Sequence, residues 1–222
     1  MTRGQSRALE QLGERFVLSL DQWPDQPAGD RRQWIGGAVF GRDAPLGLEI
    51  GFGMGHALLD WAVTAPDWNL LGVEVYQPGI GSALLGIERH GLANLRLVEA
   101  AAEDLLAHGL PSGSLAEVRI FFPDPWPKKR HHKRRLVQPS LAALVADRLE
   151  PGGLLWAATD WAEYAEWIVE VLDAEPQLER ERAPRVDDPD SLDEAGRPRT
   201  RFEARGLRLG HRVWDLRYRR KR

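Results

Sequence analysis

Short apolar runs alternate with helical periods from residue 46 onward. The runs predicted to be strands are Leu46 to Ile50, Asn69 to Val73, Asn94 to Val98, Glu117 to Phe122 and Gly153 to Ala158. The stretches between them, which repeat apolar residues with helical spacing, are Ala57 to Val63, Pro78 to His90, Glu103 to His108 and Arg134 to Leu149. Because strands joined by helices form right-handed crossovers, this alternation predicts an α/β fold with a mostly parallel sheet covered on both faces.

The two ends of the chain extend this pattern. Apolar residues repeat with helical spacing over Arg7 to Leu20. Asp160, followed three residues later by Glu163, predicts a capped helix over residues 160–173. Alternation over Val213 to Tyr218 predicts a final strand.

We predict one domain over residues 1–222, with three distinct segments. Residues 1–40 form an N-terminal helical extension. Residues 183–199 contain three prolines, one glycine and five acids without any period, which is typical of a flexible surface loop. Residues 200–222 form a basic C-terminal segment.

The composition is that of a globular protein, with 222 residues, 43% apolar and 28% charged. No apolar run approaches 18 residues, and the first residues lack the hydrophobic core of a secretory signal, so we expect a soluble, cytoplasmic protein without membrane contact. The absence of cysteine excludes disulfides and thiolate chemistry. His131 and His132 are flanked by six cations, which makes a metal site there electrostatically unfavourable.

Positive charge is concentrated in two stretches of a chain whose net charge is −3. Residues 197–222 carry eleven Arg and Lys against two acids, and residues 128–135 carry six cations and no acid. Two basic patches on an acidic body can steer a polyanion to one face of the protein. We therefore expect a nucleic acid partner.

A glycine-rich turn follows the first of the five strands. Gly51, Gly53 and Gly55 let the backbone approach a ligand at the carboxyl end of that strand. A turn that binds NAD has the pattern G-x-G-x-x-G, whereas His56 occupies the last position here. Glu49 would repel a pyrophosphate but attract the ammonium and sulfonium groups of S-adenosylmethionine. The turn therefore favours S-adenosylmethionine over NAD as the cofactor.

Acids also follow the next two strands. Glu74 lies 23 residues after Gly51, where a carboxylate can accept hydrogen bonds from two ribose hydroxyls. After the third strand, residues 99–104 contain three acids, Glu99, Glu103 and Asp104, that are candidates to meet the adenine amino group, and the sequence does not choose between them.

The fourth strand ends in a proline-rich loop, Pro123-Asp124-Pro125-Trp126-Pro127. Its prolines restrict the backbone just beyond the sheet and fix Asp124 and Trp126 there. The basic run that follows could bind phosphates while Trp126 stacks on a base. The other tryptophans at helical or strand periods, Trp61, Trp161, Trp167 and Trp214, are predicted core residues.

These motifs together resemble the bacterial tRNA (guanine-N7)-methyltransferase family. The residues that carry the resemblance are Glu49 to Gly55, Phe121 to Trp126, Lys133 to Arg135, Ala158 to Trp161, Thr200 to Glu203, Arg208 to His211 and Val213 to Leu216. The resemblance implies a class I, Rossmann-like methyltransferase fold with a mostly parallel, seven-stranded sheet. It also implies methyl transfer from S-adenosylmethionine to N7 of guanosine 46 in the tRNA variable loop.

The resemblance further implies a role for each matching residue. The cofactor would be bound by Glu49, Gly51, Gly53, Gly55, Glu74, Ala101 and Asp124, of which Asp124 would be the catalytic residue. The substrate would be contacted by Lys128, Asp160, Thr200, Arg201, Phe202 and Glu203, and RNA by Arg130, His131, His132, Lys133, Arg134 and Arg135. Two positions depart from the family pattern: Ala101 replaces an adenine-binding aspartate, and Arg201 replaces a lysine.

Other functions remain open at this point. An amino-methyltransferase acting on adenine N6 or on a protein glutamine also has a proline-flanked aromatic after the fourth strand, but usually with two consecutive prolines before it. A small-molecule methyltransferase has no need of two basic patches. A non-catalytic RNA-binding protein accounts for the basic patches but not for the acidic, glycine-rich turn. A monomer and a homodimer are equally compatible with the sequence.

Overall fold

An eight-stranded sheet forms the centre of the protein, whose computed structural model describes residues 1–23, 35–182 and 212–222. The strands are β1 Val17–Leu18, β2 Leu46–Ile50, β3 Asn69–Glu74, β4 Leu95–Glu99, β5 Leu115–Phe121, β6 Leu149–Thr159, β7 Leu178–Arg182 and β8 Trp214–Arg220. Their order across the sheet is β1-β4-β3-β2-β5-β6-β8-β7. Among these strands β8 alone runs in the direction opposite to the other seven, so the predicted mostly parallel sheet is confirmed.

Six α-helices connect the strands in this part of the chain: α1 Arg3–Phe16, α2 His56–Thr64, α3 Gln77–His90, α4 Ala102–Asp104, α5 Pro139–Arg148 and α6 Ala162–Ala174. Short 3₁₀ turns span Leu20–Gln22 and Lys129–Arg134, and π-helical turns span Gly36–Phe40 and Leu105–Gly109. None of the helices among the described residues has the length and apolar character that crossing a membrane requires. The loop predicted over residues 183–199 lies outside the described residues.

Two hydrophobic clusters lie on opposite faces of the sheet. Leu70 and Leu97 belong to the cluster that packs under α1, α2 and α3. Their neighbours Leu71 and Val98 belong to the larger cluster under α5 and α6. Since successive side chains of a strand point to opposite faces, the helices cover both faces of the sheet, as predicted.

The sheet has eight strands, one more than the resemblance implied, and two of them, β1 and β7, were not predicted from the pattern. The two-residue β1 pairs with β4 at one edge of the sheet. The strand β7 lies at the other edge and reads Leu178-Glu179-Arg180-Glu181-Arg182, so it lacks the apolar alternation by which strands are recognised. Charged edge strands of this kind protect a sheet against pairing with another chain.

Three helix starts differ from the prediction by two residues or more. The helix α5 begins at Pro139 rather than Arg134, because proline suits the first turn of a helix and residues 129–134 form a 3₁₀ turn instead. The helix α1 begins at Arg3 rather than Arg7, because Thr2 and Gln5 form a capping box in which each side chain accepts a hydrogen bond from the other residue's backbone N–H. The predicted cap at Asp160 is wrong. The helix α6 begins at Ala162, its N-cap is Trp161, and no side chain caps it. Trp161 is consequently 38% exposed and is not the core residue we expected.

The order of the strands reverses between β2 and β5, since β3 and β4 lie on one side of β2 and β6 lies beyond β5. In open α/β sheets, ligands bind at the carboxyl end of the strands at such a reversal. Both the glycine-rich turn after β2 and the proline-rich loop after β5 begin at this point. The topology therefore brings the predicted cofactor and acceptor motifs to the same edge.

Gly47 in β2 makes room for the tryptophan of the neighbouring helix. A Cβ at this position would lie 2.4 Å from Cη2 of Trp61 and 2.8 Å from Cδ2 of Leu70. We expect Gly47→Ala to lower the free energy of unfolding by about 1–3 kcal/mol, as overpacking does in a filled core. Gly13→Ala in α1 is the control, because a Cβ there would meet nothing within 4 Å. Thermal denaturation measures both variants, and an equal loss in the two would contradict the argument.

Candidate active site

The glycine-rich turn after β2 has a backbone conformation that favours glycine. Gly51, Gly53 and Gly55 have φ angles of +68°, +54° and +82°, which residues with a side chain adopt only at a cost. A Cβ on Gly51 or Gly53 would meet nothing within 4 Å. The glycines at 51 and 53 therefore border open space, and a ligand there can approach the bare backbone.

Glu74 fastens this turn to the end of β3. Its Oε2 accepts a hydrogen bond from the backbone N–H of Gly53 at 2.8 Å. Its Oε1 accepts from the backbone N–H groups of Val75 and Tyr76 at 2.8 and 3.1 Å. The carboxylate thus holds the turn in place, while Oε2 keeps a second lone pair available for another donor.

The carboxyl group of Glu49 is buried next to the turn, with only 2% of the residue exposed. Its Oε2 has no hydrogen-bond partner among the residues that the structure describes. Burial raises the pKa of Glu49 to about 8, against the opposing effect of the nearby Arg119 guanidinium. An unpartnered buried carboxyl oxygen is costly, which points to a ligand group that completes the site.

Glu49 lines a cavity of about 720 Å³. At the sheet edge this cavity is also bordered by Gly51, Gly53, Phe121 and Phe122. It continues between α2 and α3, where its lining includes Met54, Asp60, Ser82, Leu85 and Arg89. The volume lies within the range of small-molecule and cofactor sites.

The loop after β5 contains two residues with strained backbone. Phe122 and Trp126 have φ angles of +53° and +43°, which are uncommon for residues other than glycine. The backbone N–H of Phe122 donates to the carbonyl of Ala158 at 2.7 Å. The backbone N–H of Trp126 donates to Oδ1 of Asp124 at 3.1 Å, so the aspartate forms a turn within its own loop. Asp124 itself is exposed, two residues beyond the cavity wall at Phe122.

Arg135 holds this loop from the inside. It is 3% exposed, and its Nε donates to the carbonyl of Pro125 at 2.9 Å. Its Nη2 lies 3.2 Å from Oε1 of Glu163, and its guanidinium lies 5.0 Å from the ring centre of Tyr164. Arg135 therefore has a structural role. The RNA contact expected for it does not fit this position, because its guanidinium is buried and hydrogen-bonded.

The rest of the basic run faces solvent. Lys128, Arg130, Lys133 and Arg134 are exposed, and His131 and His132 are half-buried. The Arg134 guanidinium lies 5.0 Å from the ring centre of Trp126, and the His131 ring meets the same indole edge-on at 5.7 Å. The run therefore places a guanidinium and an imidazole ring against Trp126.

Comparisons with known proteins agree on the family. The model of a family described as putative methyltransferase matches residues 43–216. A tRNA (guanine-N(7)-)-methyltransferase of Alkalilimnicola ehrlichii is 50% identical over 221 residues, which cover 100% of this chain and 89% of that protein. Another, from Burkholderia cenocepacia, is 49% identical over 221 residues, which cover 100% of this chain and 81% of that protein. The chain belongs to the tRNA (guanine-N7)-methyltransferase family.

Solved structures agree on the fold of this methyltransferase. The 16S rRNA (adenine(1408)-N(1))-methyltransferase from Catenulisporales acidiphilia matches with a TM-score of 0.55 and 18% identity, over 89% of this chain and 96% of that one. The aminoglycoside resistance methyltransferase NpmB1 matches with a TM-score of 0.52 and 19% identity, over 79% and 87% of the two chains. At these identities the likeness establishes the Rossmann-like methyltransferase fold alone.

Several other residues predicted for the methyltransferase site do not line the cavity. Glu74, Ala101 and Asp124 are not among the lining residues. Ala101 is exposed and precedes α4. Asp160 is half-buried at the end of β6. Thr200, Arg201, Phe202 and Glu203 fall outside the described residues. Glu99 pairs with Glu74 in the sheet register, and its Oε1 accepts from the side-chain amide of Gln77 at 2.8 Å.

Sequence reasoning missed one charged residue of the site. Arg119 pairs with Glu49 in the register of β2 and β5, and its guanidinium acts on the Glu49 carboxyl. The available signal was an arginine between the apolar residues Val118 and Ile120 of a predicted strand, two residues before Phe121. The sequence of β5 does not indicate which strand lies beside it, so the pairing of Arg119 with Glu49 could be seen only in the structure.

Replacing Glu49 tests the burial of its carboxyl in the free methyltransferase. Because the pKa of this group is higher in the folded protein than in the unfolded chain, its contribution to stability is complete below about pH 4.5 and is lost as the pH rises through about 8. We expect Glu49→Gln to raise the melting temperature by several degrees at pH 8.5 and to change it little at pH 5.

The control for this experiment is Glu74→Gln. The Glu74 carboxylate accepts three backbone hydrogen bonds, so its neutralisation should give no stabilisation at pH 8.5. Differential scanning fluorimetry over the pH range measures both variants. A gain for Glu49→Gln of the same size at both pH values would show that burial of charge is not its origin.

Proposed function

We propose that this protein transfers the methyl group of S-adenosylmethionine to N7 of guanosine 46 in the variable loop of tRNA, producing 7-methylguanosine and S-adenosylhomocysteine. The observation that carries the proposal is the buried, unpartnered Glu49 carboxyl in a glycine-lined cavity that leads into the Asp124 loop and its exposed cations. A site for a cationic cofactor and a surface for a polyanion thus meet at one sheet edge. A tRNA-modifying enzyme of this kind would work in the cytoplasm.

The residues present suit S-adenosylmethionine, which supplies an electrophilic methyl group on its sulfonium when it is bound. Glu49 would receive the ammonium group, since its Oε2 needs a donor. Gly51 and Gly53 would let the cofactor lie against the backbone. Glu74 would accept a ribose hydroxyl with the remaining lone pair of Oε2. The Ala101 side chain offers no acceptor for the adenine amino group, so Glu99 or Glu103 would supply one.

The acceptor atom simplifies the chemistry that the protein must provide. N7 of guanine carries an in-plane lone pair and no proton, so the methyl transfer requires no general base. The ring becomes cationic as it is methylated, and the carboxylate of Asp124 would stabilise the developing charge. Most of the rate would come from positioning, since effective molarities for well-oriented groups reach about 10⁵ M or more.

The remaining contacts follow from the family and from the exposed surface. Lys128 and Asp160 would orient the guanine, together with Thr200, Arg201, Phe202 and Glu203. The phosphates would be met by Arg130, His131, His132, Lys133 and Arg134. Trp126 lies among these cations and offers a half-exposed indole for stacking on a base.

Labelled S-adenosylmethionine and an unmodified tRNA transcript test the proposed reaction directly. After incubation and digestion to nucleosides, we expect the label in 7-methylguanosine, and a transcript with adenosine at position 46 should remain unlabelled. Label in a methyladenosine would favour the amino-methyltransferase instead. A protein that binds tRNA but transfers no label would be a non-catalytic RNA-binding protein.

Asp124→Ala tests the proposed catalytic residue. We expect kcat to fall by about 100-fold or more, which is the usual effect of removing a group that stabilises transition-state charge, while the Kd for tRNA changes less than about threefold. Asp67→Ala is the matched control, because Asp67 is an exposed aspartate in the turn before β3, at the amino ends of the parallel strands, whereas Asp124 follows the carboxyl end of β5. Equal losses of turnover and of tRNA binding would make Asp124 a binding residue only.

The neighbours Arg134 and Arg135 should respond differently to substitution by alanine. Arg134→Ala should weaken tRNA binding and lower the slope of log K against log salt by about one unit, without changing the melting temperature. Arg135→Ala should lower the melting temperature, because it leaves the Pro125 carbonyl without its buried donor. Filter binding at several salt concentrations and thermal denaturation separate the two effects. If the slope of log K against log salt falls equally in both variants, Arg135 contacts RNA after all.

A further inference from the structure

A row of side chains crosses one face of the sheet from Glu49 outward. In the strand register Glu49 of β2 pairs with Arg119 of β5, Arg119 pairs with Trp156 of β6, and Trp156 pairs with Arg217 of β8. Directly paired residues project to the same face. The row therefore places a guanidinium beside the carboxyl group of the cavity.

The Arg119 guanidinium is held in a fixed position by its surroundings. It lies 3.5 Å from the ring centre of Trp61 and 5.4 Å from that of Trp156. Its Nε donates to Oε1 of Glu117 at 2.6 Å, and its side chain is only 11% exposed. Cation–π contact and an ion pair that are both shielded from water restrict a charge much more than a surface contact does.

The same contacts connect Arg119 to the glycine-rich turn. Trp61 belongs to α2, which begins at His56, immediately after Gly55. The indole reaches Arg119 across the space that Gly47 leaves open above β2. The helix that leaves the turn therefore also fixes the position of the positive charge.

Few other charges in the described part of the chain face Glu49. On the β3 side its register partner is Gly72, which has no side chain. On the β5 side the charged residues are Arg119 and its partner Glu117. The charged or titratable residues that share the cavity are His56 and Asp60 on α2 and Arg89 and His90 on α3. Glu74 at the end of β3 is engaged by backbone N–H groups.

We propose that Arg119 is a positioning residue of the cofactor site, which supplies the fixed positive charge against which Glu49 ionises to receive the ammonium group of S-adenosylmethionine. This inference rests on the proposed function, because it presumes that Glu49 meets this ligand. Glu117 modulates the effect, since it is the acid to which Arg119 is directly bonded. The pair Glu117 and Arg119 thereby sets the pH at which the site is ready for the cofactor.

Two substitutions should shift the titration of Glu49 in opposite directions. Arg119→Met removes the positive charge and should raise the midpoint by about one pH unit or more. Glu117→Gln removes a competing negative charge and should lower the midpoint, while glutamine can still accept the Arg119 hydrogen bond. The midpoint is measured in the free protein by NMR of ¹³C-labelled glutamate carboxyl groups, with Glu49→Gln to assign the signal.

Binding of S-adenosylhomocysteine provides the second measurement. We expect Kd at pH 7 to rise about tenfold in Arg119→Met for each pH unit by which the midpoint rises, and to fall in Glu117→Gln. Arg119→Lys keeps the charge and should retain most of the wild-type affinity. Arg217→Met is the matched control, because Arg217 also stacks on Trp156, at 4.1 Å, but lies two strands further from Glu49.

The outcomes distinguish this inference from the proposed function. Opposite shifts in Arg119→Met and Glu117→Gln support it, because a merely structural role would weaken binding in both without separating the midpoints. A Glu49 midpoint that stays unchanged in Glu117→Gln and in folded Arg119→Met overturns it. If Arg119→Met does not fold, an unchanged midpoint in Glu117→Gln alone overturns it. A wild-type protein that binds no S-adenosylhomocysteine at any pH overturns the proposed function instead.

Discussion

The burial of one carboxyl group at the centre of the sheet is the constraint on which the rest of the site depends. Glu49 lies at the end of β2, where the strand order reverses, and its Oε2 lacks a hydrogen bond within the described residues. A buried polar group without a partner destabilises the folded protein, and an ionised one does so more strongly. In the proposed site, a cationic ligand and Arg119 would each offset part of this cost.

The acceptor side of the site is constrained differently, by backbone strain. Phe122 and Trp126 have positive φ angles, and residues other than glycine hold such a conformation only when the surroundings impose it. Here the surroundings are the hydrogen bond from Phe122 to β6 and the buried Arg135 that binds the Pro125 carbonyl. The strained loop presents Asp124 and Trp126 at the edge next to the cavity. Rigid presentation matters in a reaction whose rate depends on positioning.

Much of this arrangement could be predicted from the sequence, because the strong signals are local. The bounds of β2 and the glycines after it follow from a short apolar run and a turn. The strand β7 was not predicted because it alternates between Glu and Arg, so that no apolar residue repeats at every second position. Trp161 was wrongly predicted to be a core residue, because the predicted helix cap at Asp160 placed it inside the helix, which instead begins at Ala162. Arg134 and Arg135 are adjacent and chemically identical, yet one is exposed and the other buried. The contacts of Arg135 with Pro125, Glu163 and Tyr164 distinguish the two, and these contacts depend on the tertiary structure.

The two halves of the site require opposite electrostatic environments within a short distance. Carboxylates that attract a sulfonium would repel the phosphates of RNA if they were exposed, because screening at physiological salt becomes effective only beyond about 8 Å. The structure separates the two by burial and hydrogen bonding. Glu49 is inside the protein, and Glu74 accepts three backbone hydrogen bonds, whereas Arg130, Lys133 and Arg134 face solvent. Asp124 is an exposed acid in the loop that precedes these cations, so the proposed reaction would create positive charge next to a carboxylate.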